Sequence, residues 1–237
     1  FGMHYTQDES YYILDCGEDA VVYLGLKEGV SPQEMLGALR HAQKTGEPFD
    51  ALRYVNQWPA KKHDHFLIPA GTIHCSGKNA MVLEISATPY IFTFKLWDWG
   101  RLDLDGKPRP IHIDHGMVNI QFDRDTAWVR ENLVGQTKEV CRDENGLVER
   151  TGLHEREFID TYRYTTSGRM PVHRNGSVQV LNLVDGARAL ITSPTGAFEP
   201  FALHYAETCI LPQAAGEYAI ESPDGGQIMV IAASVRP

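Results

Sequence analysis

The chain has 237 residues, of which 43% are hydrophobic and 22% charged, and its formal net charge is −9. These proportions are typical of a globular protein, and the length suffices for one large core or two small ones. No apolar run approaches the ~18 residues of a membrane span, and the acidic balance argues against general nucleic-acid binding. We therefore expect neither a nucleic-acid partner nor a membrane partner.

Cysteine spacing indicates the redox compartment. The four cysteines are far apart and form no Cys-x-x-Cys pair; they are Cys16, Cys75, Cys141 and Cys209. Such a pattern predicts free thiols in a reducing compartment. The first residues show no basic segment followed by an apolar one, so we expect no signal peptide and a cytoplasmic location.

Two aromatic and β-branched runs open the chain, at 11–14 and 20–26, with turn residues between them. They predict a β-hairpin. Because side chains alternate along a strand, Glu9 is expected to point into the sheet's inner face while Asp8 points outward.

A helical insert is predicted at about 31–58. Ser31 begins a capping box with a proline at the first helical position, and Gly46 is expected to end this helix. Pro48 is then expected to open a second short helix that runs through Val55 and ends before Pro59.

The segment His65–Gly77 organises the first half of the chain. An apolar strand leads into Pro69, which belongs at a strand end because it cannot donate a ladder hydrogen bond. Gly71 supplies the backbone freedom of a tight turn, and His74 heads the returning strand. This order predicts an imidazole inside a small β-barrel, where a histidine is either a packed core residue or a metal ligand.

Three features between Phe66 and Arg101 resemble the class I mannose-6-phosphate isomerases, which are zinc-dependent cupins: IPAGTIH, the glutamate of LEIS, and FKLWDWGR. The segment Gln7–Asp15 is similar to the family segment whose glutamate binds the metal. The resemblance implies a mainly β fold of two cupin-like barrels or jelly rolls, with the helical insert in the first. It also implies a Zn²⁺ cofactor, a phosphorylated sugar substrate, and isomerisation of mannose 6-phosphate and fructose 6-phosphate.

The resemblance implies that Glu9 and His74 bind the metal, and the third ligand is open. His4 stands five residues before Glu9, a spacing that fits the general cupin pattern. In the resembling isomerases a Gln-x-His pair lies further upstream of this glutamate. Either His4 supplies the missing ligand, or the partners lie before Phe1.

Candidate catalytic and substrate-binding groups lie in two predicted strands, 80–86 and 91–97, joined around Thr88 and Pro89. Glu84 or a metal-associated group is the candidate base, and the alternative for Glu84 is a structural ion pair. Lys95 stands where the family commonly has a substrate-contacting arginine, so it is a candidate for catalysis and substrate binding.

Lys62 belongs to the densest basic cluster of the chain, residues 61–65. Ammonium groups bind phosphate as point charges, so Lys62 is a second candidate for substrate binding. The alternative is a solvated turn.

Three units follow from these assignments. Residues 1–101 are predicted as the metal-binding cupin barrel, and 102–155 as a linker with one short helix that Asp125 caps. Residues 156–237 carry short β signals separated by turns, which predicts a second barrel. That barrel contains a similar turn ending at Gly216, but no histidine follows it, so we expect it to bind no catalytic metal.

Two other functions remain open at this stage. The first alternative is a non-catalytic sugar-binding or regulatory cupin module. The second is another metal-dependent cupin enzyme, such as an iron oxygenase, which usually needs two histidines and a carboxylate on one face. Neither the oligomeric state nor the sugar specificity follows from the sequence.

Overall fold

The structure, a computed structural model, describes residues 7–87, 93–152, 158–172 and 174–236. In these ranges the chain is mainly β, as predicted, and its arrangement is consistent with a cupin-like fold. Within the same ranges, each helix is too short or too polar to cross a lipid bilayer.

The described residues of the first half form six strands: β1 (Asp8–Cys16), β2 (Val21–Leu26), β3 (Val55–Pro59), β4 (His65–Ile68), β5 (His74–Ser76) and β6 (Ala80–Ala87). They form two three-stranded antiparallel sheets with the orders β4-β1-β6 and β3-β2-β5. Tyr11 and Ile13 of one sheet share a buried core with Val22 and Leu24 of the other. We call these two facing sheets the first barrel.

Two helices cover this barrel, α1 (Pro32–Thr45) and α2 (Ala51–Tyr54). The predicted cap of α1 is confirmed, because Ser31 Oγ accepts a hydrogen bond from the Glu34 N–H at 3.3 Å. Gly46 ends the helix in the left-handed region, with φ of 77°. Only glycine adopts this conformation at no steric cost.

The second predicted helix is wrong beyond its first turn. The structure ends α2 at Tyr54, and β3 begins at Val55 and pairs with β2. The side-chain amide of Asn56 donates to the Leu26 carbonyl at 2.7 Å, which ties β3 to β2. Strand pairing thus overrides the helical pattern that the sequence suggests.

The strand predicted at 91–97 is not observed in its described part, residues 93–97. The backbone there pairs instead with His112, whose N–H donates to the Lys95 carbonyl at 2.6 Å. The turn predicted at Thr88 and Pro89 lies outside the described residues.

Two further helices follow, α3 (Ile113–Met117) and α4 (Thr126–Asn132). Asp125 caps α4 as predicted, because its carboxylate accepts from the Trp128 N–H at 3.0 Å. Val129 of α4 is fully buried in the core of the first barrel. This part of the predicted linker therefore packs into that barrel.

In the second half, the part of the chain that the structure describes forms ten strands: β7 (Lys138–Asp143), β8 (Gly146–Arg150), β9 (Ile159–Thr166), β10 (Arg169–Val172), β11 (Gln179–Asp185), β12 (Arg188–Thr192), β13 (Phe201–His204), β14 (Thr208–Leu211), β15 (Tyr218–Glu221) and β16 (Ile228–Val235). They form a four-stranded sheet, β10-β15-β12-β13, and a six-stranded sheet, β14-β11-β16-β9-β8-β7. Leu181, Leu183, Ile220 and Val230 lie in the buried core between the sheets. We call these sheets the second barrel.

The hairpin β7–β8 lies inside the stretch predicted as a linker. It extends the six-stranded sheet, since Val148 of β8 pairs with Tyr164 of β9. The sequence signal was weak because every residue of β7 is exposed, so its strand carries no buried alternation.

The outer face of β1 joins the two barrels. Tyr12 and Leu14 pack against Val184 and Ile231 of the second barrel. Arg163 reaches the same junction, where it pairs with Glu149 at 2.7 Å and donates to the Tyr12 hydroxyl at 3.3 Å. The two halves of the described chain therefore share a packed and polar contact.

His65 lies at this junction and is 2% exposed, and its Nδ1 has no hydrogen-bond partner among the described residues. Burial lowers the pKa of His65 to about 4, and the positive charge of Arg163 acts in the same direction. The unfolded chain takes up this proton nearer pH 6.5, so native stability is lost as the pH falls from about 6.5 to about 4.

We predict that His65→Gln reduces this acid sensitivity. Between pH 7 and pH 5 the unmodified protein should lose about 2 kcal/mol more unfolding free energy than the variant. Urea unfolding at both pH values measures the difference, and the exposed His41→Gln serves as control. Equal losses in the unmodified protein and in His65→Gln would contradict the assignment.

Candidate metal centre at the mouth of the first barrel

Four side chains meet where the strands of the first barrel open: Gln7, Glu9, His74 and Glu84, which we call the mouth. Glu9 lies on the inner face of β1, two residues before the core residue Tyr11. His74 begins β5 opposite Leu24 of β2, another core residue. Side chains directly opposite each other share a face, so the imidazole points inward as predicted.

Glu84 reaches the mouth from the third strand of the same sheet. It stands on β6 directly opposite Tyr11 of β1. Its carboxyl group hydrogen-bonds with Glu9 and accepts from the Gln7 side-chain amide at 3.3 Å. The structure therefore brings Glu9, His74 and Glu84 together.

The Glu9 carboxylate is the buried charge of the mouth, since the residue is 6% exposed. One carboxylate oxygen, Oε1, contacts His74 Nε2 in an ion pair. The other, Oε2, accepts from the Gln7 side-chain amide at 2.6 Å. Burial of a carboxylate is costly unless it is paired and hydrogen-bonded, and both requirements are met here.

The imidazole of His74 has a fixed orientation. Its Nδ1 lies 2.8 Å from the Thr72 carbonyl oxygen. A carbonyl can only accept, so Nδ1 carries a proton and Nε2 faces Glu9. The Tyr11 ring packs edge-on against the imidazole at 5.8 Å between centroids. Metal-binding histidines are commonly held in this way by a carbonyl on the second ring nitrogen.

The turn before His74 has the predicted form. β4 ends at Ile68, and Gly71 adopts φ of 80°. A Cβ atom at Gly71 would lie 2.6 Å from the Asn119 carbonyl oxygen, so a side chain does not fit there. Asp8 also bonds to this turn, because its carboxylate accepts from the Ala70 N–H.

Glu9 and His74 change each other's pKa. Burial acts to raise the pKa of Glu9, but the hydrogen bond and charge of His74 hold it below its usual value. Burial acts to lower the pKa of His74, but the hydrogen bond and charge of Glu9 raise it above its usual value. Without a bound cation, the pair is therefore an imidazolium–carboxylate pair.

Glu84 has the opposite behaviour, although the residue as a whole is exposed. Partial burial of its carboxyl group, the hydrogen bond to Glu9 and the negative charge of Glu9 raise the pKa of Glu84 to about 7. Two adjacent carboxylates thus hold one proton between them near neutral pH. A carboxyl with this pKa suits proton transfer at physiological pH.

The donor types at the mouth fit a metal in part. One imidazole nitrogen and one carboxylate oxygen point at each other, a mixture that zinc accepts. No group of three or more His, Cys, Asp or Glu side chains in the described ranges has a geometry that could hold a metal ion. Catalytic zinc normally has three protein ligands. The predicted third ligand, His4, lies outside the described residues.

The structure places the two candidate lysines elsewhere. Lys62 lies in the turn before β4, at the end of the strand remote from Glu9, and its Nζ donates to Asp185 of the second barrel at 2.6 Å. We therefore assign Lys62 to the junction between the barrels rather than to the mouth. Lys95 is 43% exposed, and its Nζ lies 3.9 Å from Asp98.

Sequence reasoning missed three residues that support the mouth. Gln7 donates to both glutamates, Thr72 holds the imidazole through its carbonyl, and Arg124 bonds to the turn that carries Thr72. Gln7 stands two residues before Glu9, so strand alternation alone could have identified it. Arg124 lies 50 residues beyond His74, and nothing in its local sequence indicates this contact.

We predict that Glu9→Gln lowers the pKa values of both His74 and Glu84 in the metal-free protein. With the carboxylate charge removed, the pKa of His74 should fall, because burial then acts without that opposing charge. The pKa of Glu84 should also fall, because the negative charge of Glu9 no longer raises it. NMR titration of the imidazole and side-chain carboxyl carbons measures both shifts. Unchanged pKa values would show that the two groups do not face Glu9.

Curated mannose-6-phosphate isomerases are similar to this chain in sequence. No protein-family model matches the chain. It is 26% identical over 208 residues to the mannose-6-phosphate isomerase of Streptococcus mutans, covering 86% of this chain and 57% of that protein. It is 24% identical over 213 residues to the mannose-6-phosphate isomerase ManA of Bacillus subtilis, covering 90% and 61%. The chain spans 52–61% of the length of the curated relatives that it matches.

Solved structures show the same fold. The crystal structure of the Bacillus subtilis mannose 6-phosphate isomerase aligns with a TM-score of 0.73 at 19% identity, over 96% of this chain and 64% of that one. The apo phosphomannose isomerase of Salmonella typhimurium aligns with a TM-score of 0.59 at 11% identity, over 98% and 67%. The predicted resemblance is therefore confirmed: in sequence and in fold, this chain is similar to the mannose-6-phosphate isomerases.

Proposed function

We propose that this chain takes part in the zinc-dependent interconversion of mannose 6-phosphate and fructose 6-phosphate, with the mouth of the first barrel as the reaction site. The observation that carries the proposal is the buried contact of Glu9 with His74, beside a glutamate whose pKa is about 7. The curated relatives named mannose-6-phosphate isomerase supply the reaction class.

Glu9 and His74 would hold the zinc ion, with His4 as the proposed third ligand. When bound, zinc supplies a Lewis acid for the oxygens of an open-chain sugar. Metal binding at His74 Nε2 would require this nitrogen to release its proton to solvent, and Nδ1 would stay bonded to the Thr72 carbonyl. Tyr11, which is buried, packs edge-on against the imidazole on one side of the site.

Glu84 is the proposed general base. The aldose-to-ketose direction moves one proton from C2 to C1 and one from the C2 hydroxyl to the C1 oxygen, so that atoms balance without an external oxidant. In the metal-free protein the pKa of this group is about 7, and as a carboxylate it can accept the carbon-bound proton and return it to the neighbouring carbon. Gln7 donates to both carboxyl groups and so keeps Glu84 beside Glu9.

Lys95 is proposed to bind the phosphate group. It is partly exposed, and its 3.9 Å separation from Asp98 is long for a hydrogen bond. Asp98 has a closer partner in Arg109, at 3.1 Å, so Lys95 can turn towards a substrate without leaving Asp98 unpaired. The four free cysteines suit a reducing compartment, and we include a cytoplasmic location in the proposal.

A second candidate is a non-catalytic sugar-binding cupin module. It is favoured by the absence of a three-ligand group from the ranges that the structure describes. An iron oxygenase is less well supported, because the mouth contains one histidine and that enzyme class usually needs two. Metal analysis of the purified protein separates these possibilities.

We predict that the chain, supplied with zinc, isomerises mannose 6-phosphate in a coupled assay, and that His74→Ala abolishes both zinc binding and activity. The fold should largely survive, because Glu9 keeps its hydrogen bond from Gln7 and can take up a proton once its charged partner is gone. His204→Ala is the matched control: it removes the imidazole of an exposed His–Glu pair, with Nδ1 3.0 Å from Glu207, in the second barrel.

The outcomes discriminate between the candidates. Zinc binding without isomerisation, in protein that is correctly folded, would favour the sugar-binding module. Bound iron with oxygen consumption would favour the oxygenase. His4→Ala tests the third ligand, since a loss of zinc affinity as steep as that of His74→Ala identifies His4 as a ligand.

A further inference from the structure

One arginine bonds to the turn that presents the candidate metal ligand. Arg124 precedes the cap of α4, and its Nη1 donates to the carbonyl oxygens of Pro69 at 3.0 Å and Ala70 at 2.7 Å. The same nitrogen also contacts the Thr72 hydroxyl oxygen. It has two hydrogens, so at least one of its N–H groups is shared between two of these acceptors. Three acceptors of one four-residue turn thus meet a single guanidinium group.

Thr72 connects this guanidinium to the imidazole. Its hydroxyl accepts from Arg124 and donates to the Pro69 carbonyl at 2.6 Å, and the residue is 6% exposed. Its carbonyl accepts from His74 Nδ1 at 2.8 Å. Thr72 therefore links Arg124 to His74: its side chain bonds to Arg124, and its carbonyl bonds to the imidazole.

Arg124 is itself held on both sides. Its guanidinium lies over the Trp128 ring, 5.4 Å from the centroid, and its carbonyl accepts from the Leu26 N–H at 3.1 Å. Leu26 belongs to β2, the strand that pairs with β5. A charged donor bonds to a carbonyl more strongly than a neutral one does, and a planar guanidinium loses little freedom when it is stacked.

The second barrel repeats this contact without a histidine. Arg174 Nη1 donates to the carbonyls of Pro212 at 3.1 Å and Gly216 at 2.8 Å, and its guanidinium lies 5.9 Å from the Tyr218 ring centroid. This is the turn whose sequence resembles the Pro69–Thr72 turn. Arg174 therefore provides an internal control for the loss of such a contact.

We propose that Arg124 is a positioning residue for the mouth: its guanidinium fixes Thr72 so that the His74 imidazole keeps Nδ1 on the Thr72 carbonyl and turns Nε2 towards Glu9. The inference deepens the proposed function and rests on it as far as metal binding is concerned. The orientation of the imidazole does not depend on any metal. Arg124 acts through the turn.

The test compares Arg124→Met with Arg174→Met. Methionine keeps an unbranched apolar side chain beside the aromatic ring in each case and removes the donors. Zinc affinity is measured by competition with a chromophoric chelator, and the exchange of the His74 Nδ1–H proton with solvent is measured by NMR in metal-free protein. We expect Arg124→Met to weaken zinc binding by about 10–100-fold and to accelerate this proton exchange.

Arg174→Met should leave both quantities unchanged, even where it lowers the melting temperature. Equal zinc affinity and equal proton exchange in Arg124→Met and the unmodified protein would overturn the proposal. An equal effect of both substitutions would also overturn it, because the effect would then be one of general stability. Should Arg124→Met not fold, Thr72→Val replaces it, since this change removes only the hydroxyl that bonds to Arg124.

The two readouts separate this inference from the proposed function. If the unmodified protein binds no zinc, the proposed function fails, and the proton-exchange measurement still decides whether Arg124 holds the imidazole. If the unmodified protein binds zinc and Arg124→Met binds it equally well with unchanged exchange, the proposed function stands and the positioning role is wrong.

Discussion

A buried carboxylate at the opening of the first barrel constrains the surrounding structure. Glu9 is 6% exposed, and a charge at that depth is tolerated only with a partner and hydrogen bonds. His74 and Gln7 provide them, which requires β5 to approach β1 across the barrel. Three features hold β5 close to β1. They are the turn at Gly71, the hydrogen bond that the Ala70 N–H donates to Asp8, and the contacts of Arg124. The arrangement of the mouth is thus the one that pairs the buried Glu9 carboxylate with His74.

The same arrangement gives the neighbouring carboxyl group its properties. Because Glu9 is kept ionised by His74, its negative charge raises the pKa of Glu84. Two glutamates on adjacent strands therefore divide their roles, one as a ligand candidate and one as a proton carrier. This division is a common sign of an acid–base site, because it needs specific neighbours for each group.

Local sequence chemistry predicted the elements that local residues determine. The cap at Ser31, the stop at Gly46 and the cap at Asp125 are all present, because each is made by nearby residues. The Ser31 and Asp125 side chains accept from backbone N–H groups, and the Gly46 N–H donates to the Ala42 carbonyl. Strand alternation placed Glu9 inward, and the resemblance identified His74 as its counterpart. Elements governed by distant contacts were mispredicted, such as residues 93–97, whose backbone pairs with His112.

Long-range partners explain the remaining differences at the site. The ion pair of Lys62 with Asp185 joins residues 123 positions apart. No local sequence pattern could therefore have indicated that Lys62 lies at the junction between the barrels. The role of Arg124 could not be predicted for the same reason, although it contacts the Pro69–His74 segment, whose sequence pattern is the most specific in the chain. The prediction that the second barrel binds no metal stays a prediction, and Arg174 shows that a similar turn contact exists there without a histidine.

Glu9 and His74 are proposed to be two ligands of one metal ion. Anomalous diffraction at the zinc edge, from crystals of this chain grown with zinc, tests this pairing directly. We expect a peak at the mouth, about 2.0–2.2 Å from both a Glu9 carboxylate oxygen and His74 Nε2, with Nδ1 still bonded to the Thr72 carbonyl. A mouth without a peak, in which His74 remains directly paired with Glu9 while zinc occupies other sites, would contradict it.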